Sequence, residues 1–123
     1  IEKFPPDFEP QIVAYSNEIK NKVLEVPNDV LEKYGAVSQQ VAELMVAGAL
    51  KVLNSDCAVA TTGIAGPDGG SEEKPVGTVW MAAGNKDKII AQKLHFRFER
   101  QLNIQLTAVN ALNLLRKFIL ENE

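Results

Sequence analysis

The chain has 123 residues, of which 46% are hydrophobic and 24% charged, a balance typical of one ordinary globular domain. Its net charge of -3 and scattered basic residues argue against a nucleic-acid partner, and no apolar stretch approaches the ~20 residues that cross a bilayer. With a single cysteine, which cannot form an internal disulfide, we expect a cytoplasmic protein without nucleic-acid or membrane partners.

The N-terminal third is predicted to contain a loop, a strand and two short helices. Residues 1–11 include three prolines, which disfavour both helix and sheet. Residues 11–16 contain a short apolar run that is typical of a buried strand. Two short helices are expected to follow, one ending before Pro27 and the other at Gly35.

Ser38 is predicted to begin the main internal helix. Serine is a favoured N-cap residue, and apolar side chains then recur at three- and four-residue steps as far as Leu53. Gly48 falls on this apolar face, although glycine inside a helix costs ~1 kcal/mol relative to alanine. We therefore expect Gly48 to pack closely against a neighbouring element.

The C-terminal half is predicted to contain three strands and a long helix. We assign residues 56–62 to a central strand, and residues 78–83 and 88–98 to two strands joined by a hairpin at 84–87. Residues 100–120 carry a helical stripe that is expected to cover one sheet face. Its members are Leu102, Leu106, Val109, Leu112, Leu115 and Ile119. This order predicts an α/β fold, a three-layer α/β/α sandwich with a mixed sheet.

The connection over residues 62–77 carries the clearest functional signal. It is longer than most connections in a compact domain, and its glycines allow backbone amides to turn inward as a nest for an anion such as phosphate. Lys74 offers a positive charge. The loop matches neither a Walker motif nor a dinucleotide fingerprint. On composition alone, a tight surface connection without function is the alternative.

Five other residues are candidates for chemistry or for packing. Lysine can act as a general base for a serine, and a tyrosine hydroxyl can relay the proton, so Lys20 and Tyr15 form a possible catalytic pair. Taken alone, such residues are usually surface groups. Cys57 is expected to be a small buried residue and Trp80 a core anchor, whereas His95, the only histidine, is expected on the surface without a metal.

Four sequence blocks together resemble a known family. They lie at residues 13–20, 35–38, 62–70 and 74–80, and the third reads Thr-Gly-Ile-Ala-Gly-Pro-Asp-Gly-Gly. In order and spacing these blocks resemble the C-terminal domain of the competence/damage-inducible protein CinA, so that residues 12–123 are expected to form that domain. The resemblance implies a nicotinamide-nucleotide amidase of pyridine-nucleotide salvage. Such an enzyme hydrolyses the carboxamide of nicotinamide mononucleotide to nicotinate mononucleotide and ammonia, without a metal or another cofactor.

The resemblance also implies roles for individual residues. Tyr15 and Lys20 look like the family's tyrosine and lysine that assist a serine nucleophile, and Arg100 looks like the arginine placed near the ligand. The glycine-rich loop would hold the mononucleotide. Its expected substrate-binding residues are Thr62, Gly63, Ile64, Ala65 and Gly66.

One part of the family pattern is missing from the 123 residues. The family's nucleophile lies in a Ser-Cys-Thr-Gly-Gly motif on an N-terminal helix, and this motif does not occur here. The family's first strand also lacks a counterpart, and the chain opens on Ile1 rather than methionine. We therefore expect an N-terminally truncated domain that is inactive by itself. Because such a truncation exposes apolar surface, the fragment is expected to dimerise, to reorganise or to be marginally stable, and a homo-oligomer is the favoured outcome. The alternative is a non-catalytic nucleotide-binding or interaction domain of a larger CinA-like protein.

Overall fold

The fold is taken from a computed structural model that describes residues 24–64, 71 and 74–122. The predicted loop, strand and first short helix within residues 1–23 lie outside the described residues. None of the described helices is long and apolar enough to cross a membrane. The described elements are α1 (Asn28–Tyr34), α2 (Gln39–Leu53), β1 (Ala58–Gly63), β2 (Thr78–Gly84), β3 (Ile89–His95) and α3 (Arg100–Glu121).

The three described strands form an antiparallel sheet in the order β1-β2-β3. Among the described strands β2 is the middle one, and the strand predicted over residues 56–62 corresponds to β1. Strand β2 is apolar at nearly every position and is buried along almost its whole length, whereas β1 ends in two threonines and a glycine. The central position predicted for residues 56–62 stays a prediction. The parallel pairing of a mixed sheet would involve residues 11–16, outside the described residues.

The hairpin between β2 and β3 is confirmed. Asn85 accepts hydrogen bonds through Oδ1 from the backbone N–H groups of Asp87 and Lys88, both at 2.9 Å. Strand β3 ends at His95, three residues earlier than predicted. Beyond it the backbone of Phe98 is bound by a side chain of α3 and no longer by a strand, so the chain leaves the sheet there.

Helices cover both faces of the sheet, which confirms the α/β/α sandwich. Alternate residues of β2 point to opposite sides because successive strand side chains alternate. Met81 and its neighbours on one side pack against Phe118 and other residues of α3, while Ala82 on the other side packs against Val46 of α2. The middle strand is thus enclosed by two apolar layers.

Helix α2 matches its prediction at both ends. Ser38 accepts a hydrogen bond from the backbone N–H of Val41 at 3.3 Å, as an N-cap residue does, and the helix ends at Leu53. Gly48 is buried, and a Cβ atom there would overlap the backbone carbonyl of Leu24. The predicted close packing at Gly48 is therefore confirmed.

The buried stripe of α3 differs from the prediction. The sheet-facing residues are Asn103, Ala111, Leu114 and Phe118. Four members of the predicted stripe are instead exposed, namely Leu102, Val109, Leu112 and Ile119. Periodicity misidentified the inner face because apolar residues occur on two sides of this helix, and the true inner face includes a buried asparagine.

Candidate functional site

The candidate site lies at the sheet end where β1 finishes and β2 begins. The backbone N–H of Ile64 donates to the carbonyl of Thr78 at 2.9 Å, and the N–H of Gly77 donates to the carbonyl of Ile64. The chain therefore leaves the sheet after Ile64 and returns to the same point at Gly77. The intervening segment is a loop with adjacent ends, a form that is frequently functional.

Gly77 allows this closure. Its φ of 94° lies in the left-handed region, and a Cβ atom there would overlap the carbonyl oxygen of Phe96. The same residue accepts a hydrogen bond from the N–H of Phe96 at 2.9 Å, which attaches the end of β3. A side chain at position 77 would thus separate the loop from the third strand.

The outgoing arm of the loop is tied to the turn between α1 and α2. Thr62 is buried, and its hydroxyl donates to the carbonyl of Ala36 at 2.7 Å. The turn is itself held by Ser38, whose hydroxyl donates to the carbonyl of Gly35 at 2.9 Å while it caps α2. Two sequence blocks that are far apart along the chain therefore meet here.

The returning arm reaches the same turn through Lys74. Its Nζ donates to the carbonyl of Tyr34, the last residue of α1, at 2.6 Å. A cation is favourable at a helix C-terminus, where the backbone carbonyls carry partial negative charge. Ser71 closes a small turn next to Lys74, since each backbone N–H donates to an oxygen of the other residue. An ammonium has three N–H donors, and one of them binds the carbonyl of Tyr34 within the described part of the chain.

Four described backbone amides of the loop already donate to other groups. Those of Ile64, Ser71, Lys74 and Gly77 each donate within the loop or to β2. A phosphate nest in this loop would therefore need other N–H groups than these four, and most of the remaining loop residues, 65–70 and 72–73, lie outside the described residues. The predicted phosphate nest therefore stays a prediction.

Arg100 approaches the same sheet end from the other layer. It is the first residue of α3, which begins shortly after β3 ends, and it is exposed. Thr62 pairs across the sheet with Trp80, on the side that faces α2. Thr62 and Arg100 thus flank one end of the sheet from opposite faces.

Asn103 positions the start of α3 and was missed by the sequence analysis. It is fully buried, its Nδ2 donates to the carbonyl of Phe98 at 2.9 Å, and its Oδ1 accepts from the N–H of Phe98 at 3.1 Å. This pair of bonds fixes the loop that leads to Arg100. The sequence signal that could have identified Asn103 is its position on the same side of the helix as the apolar Leu114 and Phe118.

The remaining sequence candidates are placed as follows. Tyr15, Lys20, Ala65 and Gly66 lie outside the described residues, while Gly63 ends β1 between Thr62 and Ile64. Trp80 is partly buried against the α2-facing core, and Cys57 is partly buried. His95 is exposed, with Nε2 3.0 Å from the carbonyl oxygen of Val76. Within the described part of the chain, no group of His, Cys, Asp or Glu side chains could hold a metal ion.

Solved structures with the same fold come from CinA superfamily proteins. The competence/damage inducible protein CihA from Agrobacterium tumefaciens superposes with a TM-score of 0.79 at 38% identity, over 81% of this chain and 62% of that one. The competence damage-inducible protein A from Klebsiella pneumoniae gives a TM-score of 0.84 at 29% identity, over 89% and 68% of the two chains.

Sequence comparisons agree with the fold. A CinA-like protein from Cytophaga hutchinsonii is 46% identical over 110 residues, which are 89% of this chain but 26% of the relative. The chain thus spans about a quarter of the length of the curated relatives that it matches. The family model of the CinA C-terminal domain matches residues 7–119. The resemblance is therefore confirmed, and the chain belongs to the CinA C-terminal domain family.

Proposed function

We propose that this domain forms one wall of a nicotinamide mononucleotide amidohydrolase site. The loop over Thr62, Gly63, Ile64, Ala65 and Gly66 holds the mononucleotide in this proposal. The observation that carries it is the attachment of both loop arms to one turn, through Thr62 to the carbonyl of Ala36 and through Lys74 to that of Tyr34. A loop fixed at both arms can present backbone N–H groups to a phosphate without first being ordered by it.

The proposed reaction is hydrolysis of the nicotinamide carboxamide. A serine oxygen attacks the amide carbon, Lys20 with Tyr15 accepts the serine proton, and that proton leaves with ammonia. Water then cleaves the acyl intermediate to give nicotinate mononucleotide. Arg100 stabilises negative charge on the ligand, for which a guanidinium is well suited.

We also propose that the 123-residue chain does not catalyse the reaction by itself. Its four serines are Ser16, Ser38, Ser55 and Ser71, and none has the neighbours of the family's nucleophile motif. Ser16 lies outside the described residues. The hydroxyl of Ser38 caps a helix, Oγ of Ser55 is buried, and Oγ of Ser71 accepts a bond within its turn.

The test measures ammonia released from nicotinamide mononucleotide by the full-length protein and by this chain alone. We expect release only from the full-length protein, and a decrease of about 10²–10⁴-fold in its kcat for Lys20→Ala, the range typical of a general base. Lys86→Ala in the exposed β2–β3 hairpin is the matched control and should keep full activity. A full-length protein without activity would overturn the amidase proposal. Activity of the chain alone would overturn only its proposed inactivity.

The absence of the nucleophile motif from these 123 residues also favours a second candidate, a non-catalytic nucleotide-binding domain. Calorimetric titration of the full-length protein with nicotinamide mononucleotide separates the two functions. Binding with ammonia release supports the amidase. Binding without release supports the second candidate, and the absence of both contradicts each of them.

A further inference from the structure

The outer side of α3 is apolar although it faces away from the sheet. Leu102, Val109, Leu112 and Ile119 are between 36% and 56% exposed. At 3.6 residues per turn they lie within about 100° of one another around the helix axis, opposite the buried Leu114. Residues 101–115 contain no Asp, Glu, Lys or Arg, whereas solvent-facing sides of helices usually carry charge. We call these four residues the outer stripe, and Leu120, which is 59% exposed, lies beside it near the C-terminal end of the helix.

The outer stripe is complementary to itself. Its members are separated by seven, three and seven positions, so the pattern is the same when read in either direction. When two copies pair antiparallel, Leu102 therefore meets the Ile119 position and Val109 meets the Leu112 position. A surface of this kind can form an isologous contact about a two-fold axis, the commonest symmetry of protein dimers.

Charge selects the antiparallel orientation. Arg116 lies between the members of the outer stripe on the same side of α3 and is the only charged residue of the helix on that side. In a parallel pair the two arginines would be neighbours and would repel each other. In an antiparallel pair they are about 16 Å apart along the helix axis, beyond the screening length of physiological salt, and each faces a neutral Gln105.

From these observations we infer that two copies of this chain pair antiparallel through the outer stripes of α3. The inference is independent of the proposed chemistry. A single pair of 22-residue helices covers less surface than the roughly 800 Å² per partner of a standard stable interface. We therefore expect a dimer that dissociates in the micromolar range.

Sedimentation equilibrium of the 123-residue chain across micromolar concentrations tests the dimer. The wild-type chain should approach twice the monomer mass, and Leu112→Glu should weaken dimerisation roughly 100-fold because each dimer would bury two carboxylates. Ile104→Glu is the matched control, since Ile104 and Leu112 are both 46% exposed but Ile104 lies outside the outer stripe. Circular dichroism verifies that both variants retain helix. A monomeric wild-type chain, or equal effects of the two substitutions, would overturn the inference.

Disulfide cross-linking tests the orientation. In a Cys57→Ser background, Leu102→Cys mixed with Ile119→Cys should give a linked dimer on oxidation, whereas each variant alone should remain monomeric on a denaturing gel. The reason is that two Leu102 positions lie about 25 Å apart in the antiparallel pair. Linkage of the Leu102→Cys variant to itself would show a parallel pair. Failure of the mixture to link would show that another segment covers this face. Either result would overturn the inference.

Discussion

Replacement of Thr62 by valine tests how the loop is anchored. Valine has nearly the same shape but cannot donate to the carbonyl of Ala36, which the threonine hydroxyl reaches at 2.7 Å. A buried polar group left without its partner costs about 1–3 kcal/mol, and because this bond is only partly buried we take that range as the upper bound. For a chain of this length each kcal/mol lowers Tm by about 4 °C. We therefore expect Thr62→Val to lower Tm by roughly 4–12 °C.

Two controls separate the anchoring bond from a general effect of losing a hydroxyl. Thr62→Ser keeps the donor and should recover most of the loss. Thr107→Val removes a hydroxyl that donates to the carbonyl of Asn103 at 2.7 Å inside α3, where that carbonyl keeps its helical N–H partner. Urea denaturation should therefore show that Thr107→Val lowers the free energy of unfolding by less than about 0.5 kcal/mol. Equal losses for the two valine variants would refute the anchoring argument.

Three further substitutions test neighbouring contacts. Gly48→Ala gains about 1 kcal/mol of helix propensity, but the new Cβ atom overlaps the carbonyl of Leu24. Urea denaturation should therefore show a net loss of about 1–2 kcal/mol in the free energy of unfolding. A stabilised variant would contradict the close packing. Lys74→Met removes the bond to Tyr34 and should therefore loosen the turn at Ser71. We expect hydrogen exchange of the Ser71 amide, followed by NMR, to become several-fold faster. Tryptic cleavage at Lys86, in the distant hairpin, is the control and should change only slightly. Asn103→Leu leaves the backbone N–H and carbonyl of Phe98 without their partner and should lower the free energy of unfolding by about 2–4 kcal/mol, as measured by thermal unfolding. A much smaller loss would contradict the argument, because it would mean that water replaces the asparagine.

The described elements that were predicted well are those whose ends carry local signals. Ser38 caps α2, and Asn85 binds the backbone of the hairpin, so short-range chemistry determines both positions. The end of β3 was predicted less well because it depends on Asn103, a residue that binds the loop from the following helix. Alternation along residues 88–98 continues past the true strand end and contains no information about that contact.

The inner face of α3 could not be read from periodicity alone. Apolar residues occupy both the sheet-facing side and the outer stripe, and each side satisfies three- and four-residue spacing. Selection between them requires the partner surface, namely Met81 and the other α3-facing residues of β2, which bury Leu114 and Phe118. A buried Asn103 on the same face lowers its apparent hydrophobicity further. Helical pattern therefore identified the element but not its orientation.

The site shows the same division between local and tertiary information. Glycine and proline content predicted a long loop over residues 62–77, and the closing contact at Gly77 follows from its positive φ. The attachment of both arms to the Tyr34–Ser38 turn depends on bonds between segments that are 26 and 40 positions apart. Those bonds connect three sequence segments that lie far apart along the chain. A change at either end of these bonds should therefore loosen the loop, even where it lies far from the loop along the chain.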